Sequence, residues 1–436
     1  MRPKNSMIKV IGAGLAGSEA AYYLANRGAE VELIDMKPTK RSPAHSRAGF
    51  AELVCSNSLK SSDVFGNACG LLKEEMRRIG SLTMEAAEKT RVPAGGALAV
   101  DRERFSEYIT EKLRAHERIH IVCKEAEDLP DRGIVATGPL TADGLYASIE
   151  RELGATLHFY DASAPVVSAD SIDMDRTFSM SRYGKGDGDY LNCPLTKEEY
   201  ERFVSELLGA ERAELHAFEK REIFEGCMPV EVMAARGKDT LRFGMLKPVG
   251  LEVDGVRPYA VLQLRKENEA GTAYGLVGFQ TNLKFKEQKR VFSLIPALAH
   301  AEFERYGVMH RNTYLQSPEL LNADYSVKGR PELFFAGQIT GVEGYVESAM
   351  SGLLAGIHAY RRLCGKQTVV PEDTCMCGAL SRYIAQANRR FDPMNANYGI
   401  LRAGFENVRD KKEKKKLLGV RALEEIERFC AEIAER

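Results

Sequence analysis

The 436-residue chain has no tryptophan, no CxxC pair and no apolar run approaching the roughly 18 residues a membrane span requires. Its longest runs, such as Leu333–Ala336, are only a few residues, and the N-terminus has no apolar signal core. A cytoplasmic protein with no membrane contact is therefore expected, and Met1–Ser6, ahead of a second methionine, reads as a leader. Net charge is missing too: 61 Lys plus Arg stand against 62 Asp plus Glu, a formal −1. That balance excludes a strongly basic, tail-driven binder, although a local basic face fits inside a neutral total. Nine cysteines, an odd number, lack the even framework of a small secreted domain. Cys375 and Cys377 have no second Cys or His pair at zinc spacing nearby, so they read as thiols in a loop or helix end, and no metal is expected. The absence of tryptophan excludes nothing, and no internal repeat is found. What remains is ordinary for a soluble globular enzyme: 44% hydrophobic and 28% charged residues, in a length that suits two to three domains.

The N-terminal motif carries the first specific chemistry. Ile8–Ile11 is a short β run followed directly by Gly12-Ala13-Gly14-Leu15-Ala16-Gly17, then a helical pattern over Ser18–Arg27. Gly28 ends that helix, and Val31–Ile34 is a second strand closing on Asp35. A strand, a GxGxxG turn, a helix and an acidic residue 18 positions after Gly17 make the full dinucleotide-binding arrangement. Gly12 allows the tight turn, Gly14 lets a pyrophosphate approach backbone N–H groups at the helix N-terminus, and Gly17 lets helix and strand touch. Asp35 is placed to accept a hydrogen bond from the adenosine ribose.

Two later segments extend this reading. Gly133-Ile134-Val135-Ala136-Thr137-Gly138-Pro139 reads as a buried strand ending at a glycine turn, where a backbone can approach a nucleotide. Near the end of the chain, strand Leu333–Ala336 runs into Gly337-Gln338-Ile339-Thr340-Gly341-Val342-Glu343-Gly344-Tyr345 and a small-residue helix, Ser348–Ala359. A second glycine turn feeding a helix N-terminus suits the flavin half of FAD, with Tyr345 a candidate to stack on the isoalloxazine. From about Val166 to Tyr325 strand–helix alternation gives way to polar loops, a helix (Lys197–Leu208) and strands such as Tyr259–Leu264 and Ala273–Phe279. The expected fold is therefore α/β: a discontinuous, glutathione-reductase-like FAD-binding Rossmann domain with an inserted α+β domain. The expected boundaries are 1–165 for its first part, 166–324 for the insertion, and 325–436 for its second part with C-terminal helices. The Arg409–Lys416 charge run reads as a solvated helix face rather than a phosphate site.

The chain resembles the folate- and FAD-dependent tRNA (uracil-5-)-methyltransferases, the TrmFO family. The resemblance rests on VIGAGLAGSEAAYYLANRG, FAELVCSNSLKS, LLKEEMR, VPAGGALAVDR, FEGCMPVEVMAARG, RYGVMHRNTY, LFFAGQITGVEGYVESAMSGLLAG and PMNANYGIL, in family order from Val10 to Leu401. Asp35 stands where the family often has Glu, which keeps the carboxylate. The AGQ–TG–EGY stretch is shared with the MnmG-type enzymes that modify tRNA wobble uridines, which are the alternative reading. Those chains carry a longer C-terminal region, and they need a partner GTPase.

The resemblance implies methylation of C5 of the T-loop uridine, position 54, in tRNA. The carbon would come from 5,10-methylenetetrahydrofolate, and FAD would be reduced by NAD(P)H. Partners would then be the tRNA T-arm and these small molecules, with no obligate protein partner. Uracil C5 becomes nucleophilic only after something adds at C6, and a thiolate both adds and leaves well. Cys55 lies in Leu53-Val54-Cys55-Ser56-Asn57-Ser58, with His45, Arg47 and Glu52 upstream as possible influences on its pKa. Cys227 lies in Phe224-Glu225-Gly226-Cys227-Met228-Pro229, where the glycine and proline predict an exposed loop. With the resemblance, Cys227 is expected to be the nucleophile at C6 and Cys55, near the flavin, the general base or carrier-side partner. The cofactor residues expected are Gly12, Ala13, Gly14, Leu15, Ala16, Gly17, Asp35, Gly138, Gly337, Gly341 and Tyr345. RNA contacts are expected on the insertion from Arg236, Lys238, Arg242, Lys247, Arg257, Arg265, Lys284, Lys286 and Arg311. The aromatics Phe243, Tyr259, Phe279 and Tyr314 are interspersed among them.

Overall fold

The structure is a computed structural model that describes residues 7–42, 44–154, 156–182, 189–213, 228–252, 255–387 and 391–434. Its organising element is a six-stranded sheet in the order Ser326–Val327, Arg330–Phe335, Gly133–Val135, Ile8–Ile11, Val31–Asp35, Ile119–Cys123. All neighbours are parallel except the first pair. Chain order reverses on either side of Ile8–Ile11, so the turn after this strand opens at a topological switch point, where doubly wound sheets bind ligands. The strands are apolar because both faces are covered: Val10, Val31, Leu33, Ile134, Leu333 and Phe335 are fully buried.

Two helices from opposite ends of the chain, Leu15–Asn26 and Tyr345–Leu363, pack side by side on this sheet. Small residues set how closely they pack. A Cβ on Gly352 would fall 2.1 Å from the Ala16 carbonyl oxygen, and one on Gly17 would fall 1.7 Å from the Gly12 oxygen. Any larger side chain would push the helices apart and tilt the first helix off its strand.

A second six-stranded sheet, in the order Phe178–Ser179, Tyr190–Leu195, Ala260–Lys266, Ala273–Leu276, Val166–Ser168, Phe303–Arg305, is antiparallel throughout. It has its own core, built entirely from residues between Val167 and Ala301, including Phe203, Phe279 and Phe292. The antiparallel ribbon of Thr156–Ala162 and Met309–Leu315 joins the two sheets. The discontinuous α/β fold with an α+β insertion is thus the one the motifs predict. Strand ends differ by up to four residues: the last parallel strand starts at Arg330 rather than Leu333, the strand from Gly133 ends at Val135, and Ala273–Phe279 shortens to Ala273–Leu276 where Gly278 takes φ +81°. Among the described residues, no helix is long and apolar enough to cross a membrane.

Candidate active site

An open cleft of about 1160 Å³ runs along the C-terminal ends of the parallel strands. Its walls include Gly12, Gly14, Leu15, Ala16, Asp35, Gly138, Gly337 and Tyr345, drawn from four separate turns. Gly12 has φ +97°, and a Cβ there would meet the Ala136 carbonyl oxygen at 2.5 Å, so only glycine makes this turn. Gly14 is different: its φ is ordinary, at −72°, and a Cβ would meet no protein atom within 4 Å. It caps helix Leu15–Asn26 without a side-chain hydrogen bond, and no acidic residue lies in the first turn. The positive helix end therefore faces the cleft uncovered, as binding a pyrophosphate requires. Asp35, at the end of its strand, accepts from the Ala13 amide (2.7 Å) and the Lys37 amide (2.9 Å), leaving lone pairs toward the cleft. These residues fit an FAD-type dinucleotide.

Three expected cofactor residues stand behind the cleft wall rather than on it. Ala13 acts through its amide on Asp35, and Gly17 provides the close helix–strand contact. Gly341 has a packing role the sequence did not suggest. Its φ is +84°, and a Cβ would lie 2.4 Å from Phe391 Cζ, so it is a packing glycine beneath a crossing segment. That segment is tied to the second glycine turn by Met394, whose amide donates to the Gly341 carbonyl while its carbonyl accepts from the Glu343 amide, both at 2.8 Å.

Cys55 is half-buried beside this cleft, on a loop held from several directions. Its amide and that of Ser56 both donate to Tyr345 Oη, at 2.6 and 3.1 Å. Arg102 donates to the Leu53 and Cys55 carbonyls, at 2.9 and 3.4 Å, and is itself ion-paired with Glu267 at 2.5 Å. From the second sheet, Arg305 donates to the Val54 carbonyl (2.8 Å) and the Cys55 carbonyl (3.3 Å). Arg265 reaches Asn57 Oδ1 at 2.6 Å and Ser56 Oγ at 2.5 Å. Two guanidinium groups from different units thus converge on one peptide carbonyl. Burial, then the neighbouring Arg102 charge, pulls the Arg305 pKa down, while burial, then Cys55, pushes the Tyr345 phenol far up. Tyr345 is therefore a neutral phenol whose oxygen is engaged with the Cys55 loop, while its ring forms cleft wall.

Sequence reasoning missed these arginines because Arg102 and Arg305 lie 47 and 250 positions from Cys55. The neighbours it singled out are engaged elsewhere: His45 Nδ1 with Ser42 Oγ at 2.6 Å, Arg47 with Glu103, and Glu52 with the Ser46 amide and hydroxyl. It also missed Glu347, fully buried in the first turn of helix Tyr345–Leu363. Glu347 Oε1 accepts from the Ala396 amide at 3.0 Å and faces Lys60 Nζ at 3.3 Å. Burial would lower the Lys60 pKa, but Glu347 outweighs it and the net shift is upward. Cys227 lies outside the described residues, which resume at Met228. Cys375 and Cys377 are buried, and Cys375 caps helix Met376–Ala385, in keeping with two structural thiols.

The expected RNA-contact residues separate in the structure. Phe279 and Tyr314 are core residues, corrected from stacking candidates, whereas Phe243 is 74% exposed. Several of the basic residues already have carboxylate partners: Lys238–Glu201 (2.7 Å), Arg257–Glu252 (2.5 Å) and Lys284–Glu211 (2.8 Å). Arg242 donates to the Tyr259 carbonyl and lies over that ring, 4.2 Å from its centroid. Arg236 and Lys286 remain exposed, Lys247 is half-buried, and Arg311 lies on strand Met309–Leu315.

Fold and cleft together define a dinucleotide-binding protein of the FAD type with an inserted unit. A family model described as Glucose inhibited division protein A matches residues 7–367. The chain is 57% identical over 434 residues to the Methylenetetrahydrofolate--tRNA-(uracil-5-)-methyltransferase TrmFO of Desulfitobacterium hafniense, covering 98% of this chain and 99% of that one. It is 56% identical to the protein of the same name in Lactobacillus delbrueckii subsp. bulgaricus, covering 98% of each. Among solved structures, Aquifex aeolicus GidA superposes with a TM-score of 0.73 at 16% identity, over 98% of this chain and 73% of that one. The chain belongs to the TrmFO family.

Proposed function

We propose that this protein methylates C5 of uridine 54 in the tRNA T-loop, taking its one-carbon unit from 5,10-methylenetetrahydrofolate and its reducing equivalents from NAD(P)H through FAD. The observation that carries this reading is the Cys55 loop, clamped between Tyr345 on the cleft wall and Arg305 of the inserted sheet. The backbone of this loop touches the cleft wall through Tyr345 and the inserted sheet through Arg305, which supports a role for its thiol between cofactor and substrate. The reading of 166–324 as the tRNA-binding unit rests on the same junction.

The dinucleotide would be held by Gly12, Gly14, Leu15, Ala16, Asp35, Gly138, Gly337 and Tyr345, and when bound it supplies hydride. The chain's residues do the rest. The Cys227 thiolate adds to uracil C6, which makes C5 an enolate carbon able to take the one-carbon unit. Cys55, held by Tyr345 and Arg102, removes the C5 proton. As that proton leaves, the bond between the one-carbon unit and its carrier nitrogen breaks with the amine as leaving group, giving an exocyclic methylene at C5 while Cys227 is still on C6. Hydride added to that methylene makes the methyl group, and the returning electron pair restores C5=C6 and expels the Cys227 thiolate. Uridine 54 must leave its loop stack to reach the cleft. Phe243, an exposed aromatic of the inserted unit, is suited to stack on a splayed neighbouring base.

The test is mass-spectrometric mapping of an unmodified tRNA transcript incubated with the protein, methylenetetrahydrofolate and NADPH. A methyl-sized gain on the T-loop uridine, absent without folate, supports the reading. No gain there with the flavin still reduced, or a gain at the wobble uridine, rejects it. The division of labour is tested with 5-fluorouracil-containing tRNA: Cys227→Ala should lose the covalent adduct and Cys55→Ala keep it, and the reverse result exchanges the roles.

A further inference from the structure

The strongest concentration of charge in the molecule lies outside the cleft. Residues 409–416 contain six Lys or Arg against Asp410 and Glu413, a net of +4 in eight positions of a chain whose total is −1. Lys411 onward forms the beginning of the C-terminal helix Lys411–Ala434, and Arg409, Lys411, Lys412 and Lys416 are exposed. Positive side chains in a first turn oppose the helix dipole, at roughly 0.3–1 kcal/mol each, so helix stability does not account for them. Asp410, already counted in that net, caps the helix, its carboxylate accepting from the Lys412 and Glu413 amides at 2.8 Å each.

The contrast with other surface charge is direct. Lys238, Arg257, Lys284 and Arg290 of the inserted unit and Arg402 near this helix all contact carboxylates. Among the described residues, no carboxylate lies within ion-pair distance of Arg409, Lys411, Lys412, Lys414 or Lys416. The cluster is also held in place. Lys415 Nζ donates to the Gly66 carbonyl at 3.2 Å and lies 5.3 Å from the Tyr398 ring centroid, and Tyr398 Oη donates to the Phe65 carbonyl at 2.9 Å. Gly66 is eleven residues beyond Cys55, so the two are at most roughly 40 Å apart along even a fully extended chain. The apolar side of the helix, including Leu418, Leu423, Ile426 and Phe429, is buried in the main core. That leaves no apolar wedge to insert into a lipid surface, which an amphipathic membrane helix needs.

We infer that the start of the C-terminal helix is a docking surface for the phosphate backbone of the tRNA substrate, engaged while the target uridine occupies the Cys55 side of the cleft. This rests on the tRNA-methylation reading and adds a second contact region to the inserted unit. A fixed, exposed, unpaired basic surface fits a polyanion of regular charge spacing, and binding should release counterions in proportion to the phosphates neutralised.

The experiment compares the intact flavoprotein with a variant carrying Lys411→Ala, Lys412→Ala, Lys414→Ala and Lys416→Ala. None of these residues touches the cleft, and alanine preserves the helix; flavin absorbance and Tm verify the fold. Binding of an unmodified tRNA transcript is titrated from about 50 to 200 mM salt. The expected result is a Kd raised 10- to 100-fold at low salt, a slope of log Kd against log salt reduced by about 2–4, and kcat at saturating tRNA unchanged. An unchanged Kd and slope overturns the inference, as does loss of binding to phosphatidylserine vesicles with tRNA binding intact. Wild-type protein that binds the transcript with the expected slope but does not methylate it would leave the docking surface standing and remove the methylation reading.

Discussion

Two kinds of helix N-terminus in this protein stand in contrast. In the interior they end on carboxylates: Glu19, fully buried, accepts from the Ser81 hydroxyl and the Leu82 and Thr83 amides, and Glu75 accepts from the Met376 and Cys377 amides at 2.8 Å each. At the cleft, helices Leu15–Asn26 and Tyr345–Leu363 start at Gly14 and Gly344 with no side-chain cap. An interior end must satisfy its amides within the protein, whereas an end facing a cleft can leave them for a ligand. At these two cleft ends the amides are left for a ligand, whereas Glu19 and Glu75 satisfy theirs from within the protein.

The sharpest way to break that comparison is to cap a cleft end. Gly14→Asp has room and an ordinary φ, so the apoprotein should fold with Tm unchanged or slightly raised while flavin affinity falls at least 100-fold, about 3 kcal/mol. Retention of the flavin through gel filtration would mean that this end does not hold the pyrophosphate. The converse experiment removes an interior cap. Glu19→Ala strands buried amides and should cost about 3 kcal/mol in urea unfolding of the apoprotein, with flavin binding in the folded fraction retained.

Glu75 makes the interior class visible through pH. Burial raises its carboxyl from 4.5 to about 7, so between those values the unfolded chain gives up its proton while the folded one keeps it. Stability should therefore fall as pH rises from about 4.5 to 7 and level off above, by on the order of 3 kcal/mol. Glu75→Gln should flatten that part of the curve, and an unaltered slope would remove Glu75 as its source. The smallest effect is expected at the second cleft helix. Tyr345→Phe removes the acceptor of the Cys55 and Ser56 amides, and should lower kcat about 10-fold with about 1 kcal/mol lost in stability. A variant with unchanged kcat would show that the clamp on the Cys55 loop does not matter to turnover.

The fold was largely legible because its signals are local. Strand, Gly12–Gly17 turn, helix and Asp35 all fall within 28 residues, and each glycine's role follows from its place in that unit. The packing role of Gly341 was not legible because its partner, Phe391, is fifty positions away and nothing in the glycine turn announces it. The site was only half legible for the same reason. Motif matching singles out Cys55, but the groups that hold its loop (Tyr345, Arg102, Arg265 and Arg305) come from four other segments, and a sequence does not display which arginines converge. The inserted unit misled in the other direction: alternating basic and aromatic residues suggested one surface, but Phe279 and Tyr314 turned out to be core.

The interrupted parallel sheet has a consequence for how the chain is made. Strand Gly133–Val135 finds its neighbour Arg330–Phe335 only after about 195 further residues, and helix Leu15–Asn26 waits longer still for Tyr345–Leu363. At roughly 5–20 residues per second, a ribosome leaves that sheet edge uncovered for about 10–40 s and the helix face for about 15–65 s. The inserted unit, with its separate core, can fold in the interval. The nascent nucleotide-binding half must remain incomplete throughout it, and this is the stage at which chaperone protection of the chain would count most.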